Sequence, residues 1–129
     1  MNYVSEVFIA DQDLDWEVVG NGVRRKIMAY DDLIMLVKAE FQEGSIGPIH
    51  DHHHSQVTYV ESGAFEVTIG SKKKVLKTND AFYIPPHTPH GALCLEAGVL
   101  LDVFSPIRED FMTTKITNPE EEVESSATN

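Results

Sequence analysis

The chain has 129 residues, of which 42% are hydrophobic, so it is long enough to fold as one domain around its own core. Its formal net charge of -11 repels nucleic-acid phosphates and anionic lipid surfaces, which argues against both as partners. No apolar run approaches the roughly 20 residues of a membrane span, and residues 1–6 lack the features of a secretion signal, so we expect a cytoplasmic protein. The single cysteine, Cys94, excludes an intrachain disulfide and leaves nitrogen and oxygen as ligand atoms for any metal.

From Trp16 onward the chain consists of short strand-like segments separated by turn residues, with no sustained helical period. The first two segments, 16–19 and 23–30, flank Asn21-Gly22, a pair that readily adopts the positive φ angles of a tight hairpin turn. The further predicted strands, in chain order, are 33–41, 57–61, 64–69, 75–77, 81–84, 91–95 and 98–104. Turns that recur about every ten residues are typical of sandwiches and barrels, so we predict an all-β, single-domain fold.

The segments that connect the predicted strands, and the C-terminal segment, also have characteristic compositions. Residues 42–48 contain glycine and proline and are predicted to be a loop, and residues 70–74 are predicted to be a turn whose lysines form a solvated patch. The domain is predicted to span residues 1–112. Residues 113–129 are polar and acidic, and we predict a disordered tail because so few apolar groups cannot offset the entropy of ordering. A docked C-terminal strand, anchored by Ile116, is the alternative.

Four of the six histidines fall within the stretch HDHHHSQ, residues 50–56, and the other two, His87 and His90, lie in the proline-rich stretch IPPHTPH. The internal position and the interruption by Asp51 exclude a purification tag. On one straight strand His50 and Gln56 would lie about 20 Å apart, so a metal shared between them requires a bend after His52. The bend places His53 and His54 in a turn, where we expect them to be exposed or to lie behind the ligands.

The null hypothesis for each histidine is a hydrogen-bonded structural role without a ligand. It is weakened here because all six histidines lie between residues 50 and 90, in two clusters that a β-sandwich can bring together.

The first of these clusters resembles a motif of the cupin superfamily. It runs from Gly44 through His50-Asp51-His52 and Gln56 to Gly63, with Gln56 where a glutamate is usual. The second cluster is similar to the second cupin motif and runs from Asn79 to Cys94. Asn79 and His87 replace two glycines there, and asparagine tolerates the left-handed conformation that glycine adopts.

The cupin resemblance implies a double-stranded β-helix, a jelly-roll barrel of six to eight strands. It also implies one divalent metal ion, with nickel, zinc, manganese, iron and cobalt all open, held by His50, His52, Gln56 and His90. Three neutral imidazoles and a neutral amide would leave the full positive charge on the ion, which favours Lewis acidity over redox chemistry.

A narrower resemblance extends from about residue 16 to residue 111. The segments HDHHHSQVTYVESGAFEVTIG, IPPHTPHG and LLDVFSPIREDF together resemble the small pectin-degradation cupins of the KdgF type. That family converts 4,5-unsaturated monouronates, derived from galacturonate in pectin or from mannuronate and guluronate in alginate, into linear ketonic uronates by ring opening. The resemblance implies site roles for Asp102, Phe104 and Arg108.

Elementary chemistry is consistent with these roles. Asp102 and Phe104 are two residues apart on one predicted strand and share a face, so Asp102 could transfer a proton inside the barrel while Phe104 forms an apolar wall. Arg108 could bind a uronate carboxylate through two parallel hydrogen bonds, and Tyr59 is a further candidate substrate contact. The alternatives are a turn-capping aspartate, a core phenylalanine and a surface arginine in a salt bridge.

Two other functions remain possible for a cupin of this kind: a metal-dependent dioxygenase and a non-catalytic sugar-binding protein. By analogy with cupins of similar size, we expect a homodimer.

Overall fold

The computed structural model describes residues 1–116 of the chain, with side chains described up to residue 112. Eight strands and one helix follow a short 3-10 turn at Asp11–Asp13. They are β1 (Glu17–Gly20), β2 (Val23–Asp31), β3 (Ile34–Phe41), β4 (Ile46–His50), β5 (Ser55–Ile69), β6 (Lys72–Lys77), β7 (Ala81–Ile84), β8 (His90–Ser105) and α1 (Glu109–Ile116). The all-β prediction is confirmed.

One antiparallel sheet contains all eight strands, in the order β1-β2-β3-β8-β5-β6, with β4 paired to β8 and β7 paired to β5. The two long strands, β5 and β8, pair with each other from Ser55↔Ser105 to Ile69↔His90. Each then has a different second neighbour along its two halves: β8 lies beside β3 at one end and β4 at the other, and β5 lies beside β7 and then β6. This change of neighbours curls the sheet into a barrel.

The sequence predicted β5 and β8 as two strands each, and this division was wrong. Ser62-Gly63 and Glu96-Ala97 look like turns but form an irregular, bulged pairing within continuous strands. Gly63 has φ 88°, and a Cβ there would lie 2.6 Å from the backbone oxygen of Glu96. The glycine is needed for this close approach of two backbones, not for a chain reversal.

Two predicted connections are shorter than expected. The predicted loop 42–48 gives way to β4 from Ile46, which pairs with the start of β8 and includes Pro48 where the register shifts. Prolines are tolerated at such irregular positions because a ladder hydrogen bond is already missing. The predicted turn 70–74 is confined to Gly70 and Ser71, and its lysines belong to β6.

Helix α1 was not predicted, because its eight residues are too few to show a helical period. Glu109 and Asp110 lie in its first turn, where acidic groups favour the helix dipole. It continues four residues beyond the domain boundary predicted at residue 112. The predicted tail from residue 117 lies outside the described residues and stays a prediction. No helix in the described part of the chain is long and apolar enough to span a membrane.

Alternating side chains of the strands form two buried apolar clusters inside the barrel. On β3 the inward row supplies both clusters, with Met35 and Val37 in one and Ala39 and Phe41 in the other. On β8 the corresponding row is Leu100, Asp102 and Phe104, in which Leu100 belongs to one cluster and Phe104 to the other. The carboxyl group of Asp102 is therefore placed between two apolar clusters, inside the barrel.

Candidate metal centre

Three histidines from two strand ends and a loop meet at one side of the barrel interior. His50 ends β4, His90 begins β8 directly opposite it in the register, and His52 lies in the loop between β4 and β5. One ring nitrogen of each lies within 4.8 Å of the others. Among the described residues, no other group of three or more histidine, cysteine or acidic side chains meets this criterion.

The hydrogen bonds of these imidazoles suit metal ligation. The Nδ1 atom of each ring faces a backbone oxygen: that of Pro48 at 2.9 Å for His50, of His54 at 3.2 Å for His52, and of Thr88 at 2.8 Å for His90. An Nδ1–H that donates to a carbonyl leaves the lone pair on Nε2, which is the usual arrangement behind metal-binding histidines. Burial lowers the pKa of His90 to about 4 and also lowers that of His52, so both rings are neutral at neutral pH.

Gln56, the fourth predicted ligand, lies beside this group. Its Oε1 lies 3.0 Å from Nε2 of His52, while its amide nitrogen donates to Thr58 Oγ1 at 3.0 Å and to Asp102 Oδ1 at 3.4 Å. Because the lone pair of His52 is on Nε2, this nitrogen and Gln56 Oε1 are two hydrogen-bond acceptors that face each other. Ligand atoms about 2.1 Å from one metal ion, at right angles or wider, are separated by about 3.0 Å or more, so a cation fits between them.

The three remaining histidines lie outside the cluster, as expected for His53 and His54. His53 is exposed and stacks on His54, whose buried ring donates from Nε2 to the backbone oxygen of Ile107 at 3.1 Å. Burial lowers the pKa of His54 to about 4. His87 has φ 62°, and its backbone N–H donates to the His52 carbonyl at 2.7 Å, so its contribution comes from the backbone.

Asp102 lies in the same hydrogen-bond network. Its Oδ1 accepts a hydrogen bond from the buried Thr58 hydroxyl at 2.6 Å. Burial raises the pKa of Asp102 to about 6, against the opposing effects of the Thr58 hydrogen bond and the positive charge of Arg108. A carboxyl group with this pKa can hold or release a proton near neutral pH.

A cavity opens beside the cluster and encloses about 650 Å³ of empty space, counting the solvent at its mouth. Its polar lining consists of His50, His90, Gln56, Asp102, Arg108 and Arg25. The structure thus brings the predicted site residues Asp102, Phe104 and Arg108 to the same cavity as His50 and His90. Phe104 also belongs to the core, so its two alternative roles are compatible.

Arg108 is buried, with 6% of its surface exposed, which differs from the surface salt bridge considered as its alternative. Its Nε and Nη2 donate to the two carboxylate oxygens of Asp110 at 3.1 and 2.9 Å. Its guanidinium lies 4.2 Å from the Phe111 ring centre. Helix α1, which carries Asp110 and Phe111, therefore holds Arg108 in place.

The structure places Tyr59 away from the other predicted site residues. It follows the inward-facing Thr58 on β5, so its side chain points away from the barrel interior and is 41% exposed. Its hydroxyl donates to Asn79 Oδ1 at 2.6 Å. It does not line the cavity.

Arg25 and Thr58 were not predicted from the sequence. Arg25 stands between Val23 and Ile27 on the inward face of β2, and Thr58 stands between Gln56 and Val60 on the inward face of β5. The sequence signal that could have identified them is a polar residue in an otherwise apolar row of inward-facing positions. Functional groups of a barrel interior occur at such positions.

Comparisons with known proteins cover the part of the chain that forms the histidine cluster and the cavity. Residues 37–104 match the family model for the cupin domain. The chain is 43% identical over 107 residues to the pectin degradation protein KdgF of Dickeya dadantii (strain 3937). The aligned region covers 81% of this chain and 97% of that protein. The solved structure of KdgF from Halomonas sp. is 40% identical, with a TM-score of 0.79, covering 83% of this chain and 99% of the other.

Two further structures are informative. An RmlC-like cupin from Shewanella frigidimarina is 42% identical, with a TM-score of 0.82, covering 84% of this chain and 97% of that one. The cupin domain of Cnp3 from Schizosaccharomyces pombe has a TM-score of 0.68 at 14% identity, covering 88% of this chain and 84% of that one, and shares the fold alone. The jelly-roll prediction is thereby confirmed.

Proposed function

The chain belongs to the cupin superfamily and, within it, to the KdgF pectin degradation proteins, and on this premise we propose that it is a metal-dependent enzyme that opens the ring of 4,5-unsaturated monouronates to linear ketonic uronates. The substrates would come from the breakdown of pectin or alginate. The observation that carries the proposal is the meeting of an imidazole cluster, a carboxyl group of raised pKa and a buried arginine at one cavity.

His50, His52, Gln56 and His90 would hold one divalent ion, and the pair of acceptors at His52 and Gln56 supports this assignment. When bound, the ion would supply Lewis acidity toward the oxygen atoms of the substrate. The neutral ligand set supports a non-redox role for nickel, zinc, manganese, iron or cobalt. Gln56 also connects this group to Asp102 through its amide nitrogen.

Asp102 is the proposed proton donor and acceptor. Ring opening requires a proton on C4 as water adds to C5 of the double bond. The proton of the new C5 hydroxyl must then reach the ring oxygen as the C5–ring oxygen bond breaks, which gives the C5 ketone and leaves the former ring oxygen as a hydroxyl on C1. Loss of water from the resulting C1 diol gives the aldehyde. A carboxyl group with a pKa of about 6 can serve in both directions at neutral pH. The hydrogen bond from Thr58 fixes the orientation of the carboxyl group.

Arg108 and Phe104 would position the substrate. Asp110 occupies Nε and Nη2 of Arg108, which orients the guanidinium and leaves Nη1 for a substrate oxygen. Phe104 supplies an apolar surface against the sugar ring.

The test follows the ultraviolet absorbance of an unsaturated monouronate, which is lost when the double bond disappears. We expect the protein to accelerate this loss, anaerobically as well as in air, and a chelator to abolish the acceleration. Asp102→Asn should lower turnover by roughly 10²–10⁴-fold while the metal stays bound, because it removes the proton-transfer group and keeps its shape.

Four outcomes would contradict the proposal or part of it. No acceleration over the spontaneous rate would sink it, and full turnover by Asp102→Asn would remove the proton role. Oxygen consumption with ferrous iron would favour the dioxygenase, and uronate binding without turnover would favour the sugar-binding alternative. A cytoplasmic location and a homodimer remain predictions.

A further inference from the structure

We propose that Arg25 forms a second anion-binding position in the cavity and binds the ligand's carboxylate there, alongside Arg108. The identification of that ligand as a uronate rests on the proposed function. The inference itself rests on the burial, contacts and unsatisfied donor of Arg25.

Arg25 occupies an inward position of β2 where the neighbouring inward residues are apolar. Only 2% of its surface is exposed, yet it lines the cavity together with His50, His90, Asp102 and Arg108. A buried arginine is unusual unless it is paired or functional, because removing a charge from water is unfavourable. Its position on the cavity wall points to a functional role.

The Arg25 guanidinium is held from two sides. Its Nε donates to Glu17 Oε1 at 2.8 Å, and the Phe111 ring lies over it, with 3.7 Å between Cζ and the ring centre. Its Nη1 is buried and has no hydrogen-bond partner among the described residues. A buried donor without an acceptor is destabilising, and a carboxylate oxygen supplied by a ligand would satisfy it.

Arg25 and Arg108 both contact the Phe111 ring, with 3.7 and 4.2 Å between each Cζ and the ring centre. Burial is the largest cause that lowers the pKa of Arg25; the positive charge of Arg108 adds to it, whereas Glu17 and Asp110 oppose the shift. A ligand carboxylate at Arg25 Nη1 would stabilise the buried guanidinium in a chain whose net charge of -11 otherwise repels anions.

The two arginines differ in the guanidinium nitrogens through which they bind carboxylates of the protein. Asp110 engages Arg108 through two nitrogens, whereas Glu17 engages Arg25 through Nε. Arg25 Nη1 exposes almost no surface, so a ligand has to shift the Phe111 ring or another covering side chain to reach it.

The experiment measures binding of D-galacturonate, a saturated uronate without the reactive double bond, to the metal-loaded full chain by calorimetry. Arg25→Gln should weaken this binding at least ten-fold, because it removes a charge-assisted hydrogen bond from a buried site. Binding of neutral D-galactose should be unchanged. In turnover of the unsaturated monouronate, KM should rise at least ten-fold while kcat falls less.

The matched control is Arg24→Gln, because Arg24 is the adjacent arginine, half-exposed and paired with Glu40 at 2.6 Å on the outer face. It should leave binding, KM and metal content at their wild-type values. If Arg25→Gln does not fold, Arg25→Lys replaces it. Lysine keeps the charge but not the planar set of donors, and we expect at least three-fold weaker galacturonate binding.

Unchanged galacturonate binding in a folded Arg25 variant would overturn the inference while leaving the proposed reaction intact. Uronate binding that depends on Arg25, without turnover by the wild-type protein, would overturn the reaction and support the inference. A wild-type protein that binds no uronate would overturn both.

Discussion

Asp102 shows how neighbouring residues adjust a single group for chemistry. Its place between Leu100 and Phe104 removes water from the carboxyl group, and burial outweighs the stabilising hydrogen bond from Thr58 and the charge of Arg108. The result is a pKa of about 6. The folded protein therefore stabilises the charged form of Asp102 less than water does in the unfolded chain.

The folded-state pKa of Asp102 lies above the ordinary aspartate value of 3.8, so the folded protein binds this proton more tightly than the unfolded chain. The metal-free protein should therefore lose stability as pH rises from about 4 to about 6, by up to about 3 kcal/mol from this residue. Asp102→Asn removes that loss. We expect the variant to be more stable than the wild type at pH 7.5, with the difference vanishing near pH 4.

Urea unfolding in the presence of a chelator, at both pH values, measures this difference. Asp15→Asn is the control, because Asp15 is exposed and its replacement should change stability by no more than about 0.5 kcal/mol. A destabilised Asp102→Asn at pH 7.5 would show that the charged carboxylate contributes net stability.

Among the structural elements, the pair of long strands β5 and β8 positions most of the site. Thr58 pairs with Asp102 and Gln56 with Phe104 across this ladder, and His90 begins β8. The bulge at Ser62 and Gly63 lies in the same pair of strands, where their backbones approach closely opposite Gly98. The close approach sets the register on which the polar network depends.

Gly98→Ala tests this element. A Cβ at residue 98 would lie 2.0 Å from the Ser62 backbone oxygen, and backbone atoms cannot move aside as a flexible side chain can. We expect a loss of about 3 kcal/mol in the free energy of unfolding, measured by denaturant titration. Gly20→Ala is the matched control, because its Cβ would meet Val23 at an ordinary 3.8 Å. Equal stability of the two variants would mean that the strands can separate at the bulge without penalty.

At the scale of the whole molecule, the metal cluster joins segments that are distant in the chain. His50 ends β4, His52 lies in the β4–β5 connection, and His90 lies forty residues after His50. A ligand that binds such a cluster only in the folded state shifts the folding equilibrium toward the native barrel.

A divalent ion should therefore stabilise the metal-free protein, by about 2.7 kcal/mol at a free concentration one hundred times its Kd. The measurement is the thermal unfolding midpoint as a function of metal concentration. His50→Ala should abolish the dependence, whereas His53→Ala should retain it, because His53 is exposed and outside the cluster. A midpoint that responds equally in both variants would place the ion elsewhere.

Local patterns in the sequence were sufficient for much of this protein. Turn chemistry predicted the β1–β2 hairpin, and the superfamily resemblance implied that His50, His52, Gln56 and His90 would meet. These features depend on residues close in sequence or on motifs whose spacing is itself informative. The same local logic failed at Ser62-Gly63, where a glycine looks alike in a turn and in a bulge.

Only the tertiary structure decided which side chains share the cavity. Arg25 pairs with Ala39 across β2 and β3, and its guanidinium meets Phe111 from α1, so its role depends on contacts between distant segments. Tyr59 looked suitable by type but faces outward, and Thr58 beside it faces the site. Alternation along a strand determines which residues share a face of the sheet. The register between strands determines which of these side chains meet in the barrel interior, and register depends on long-range packing.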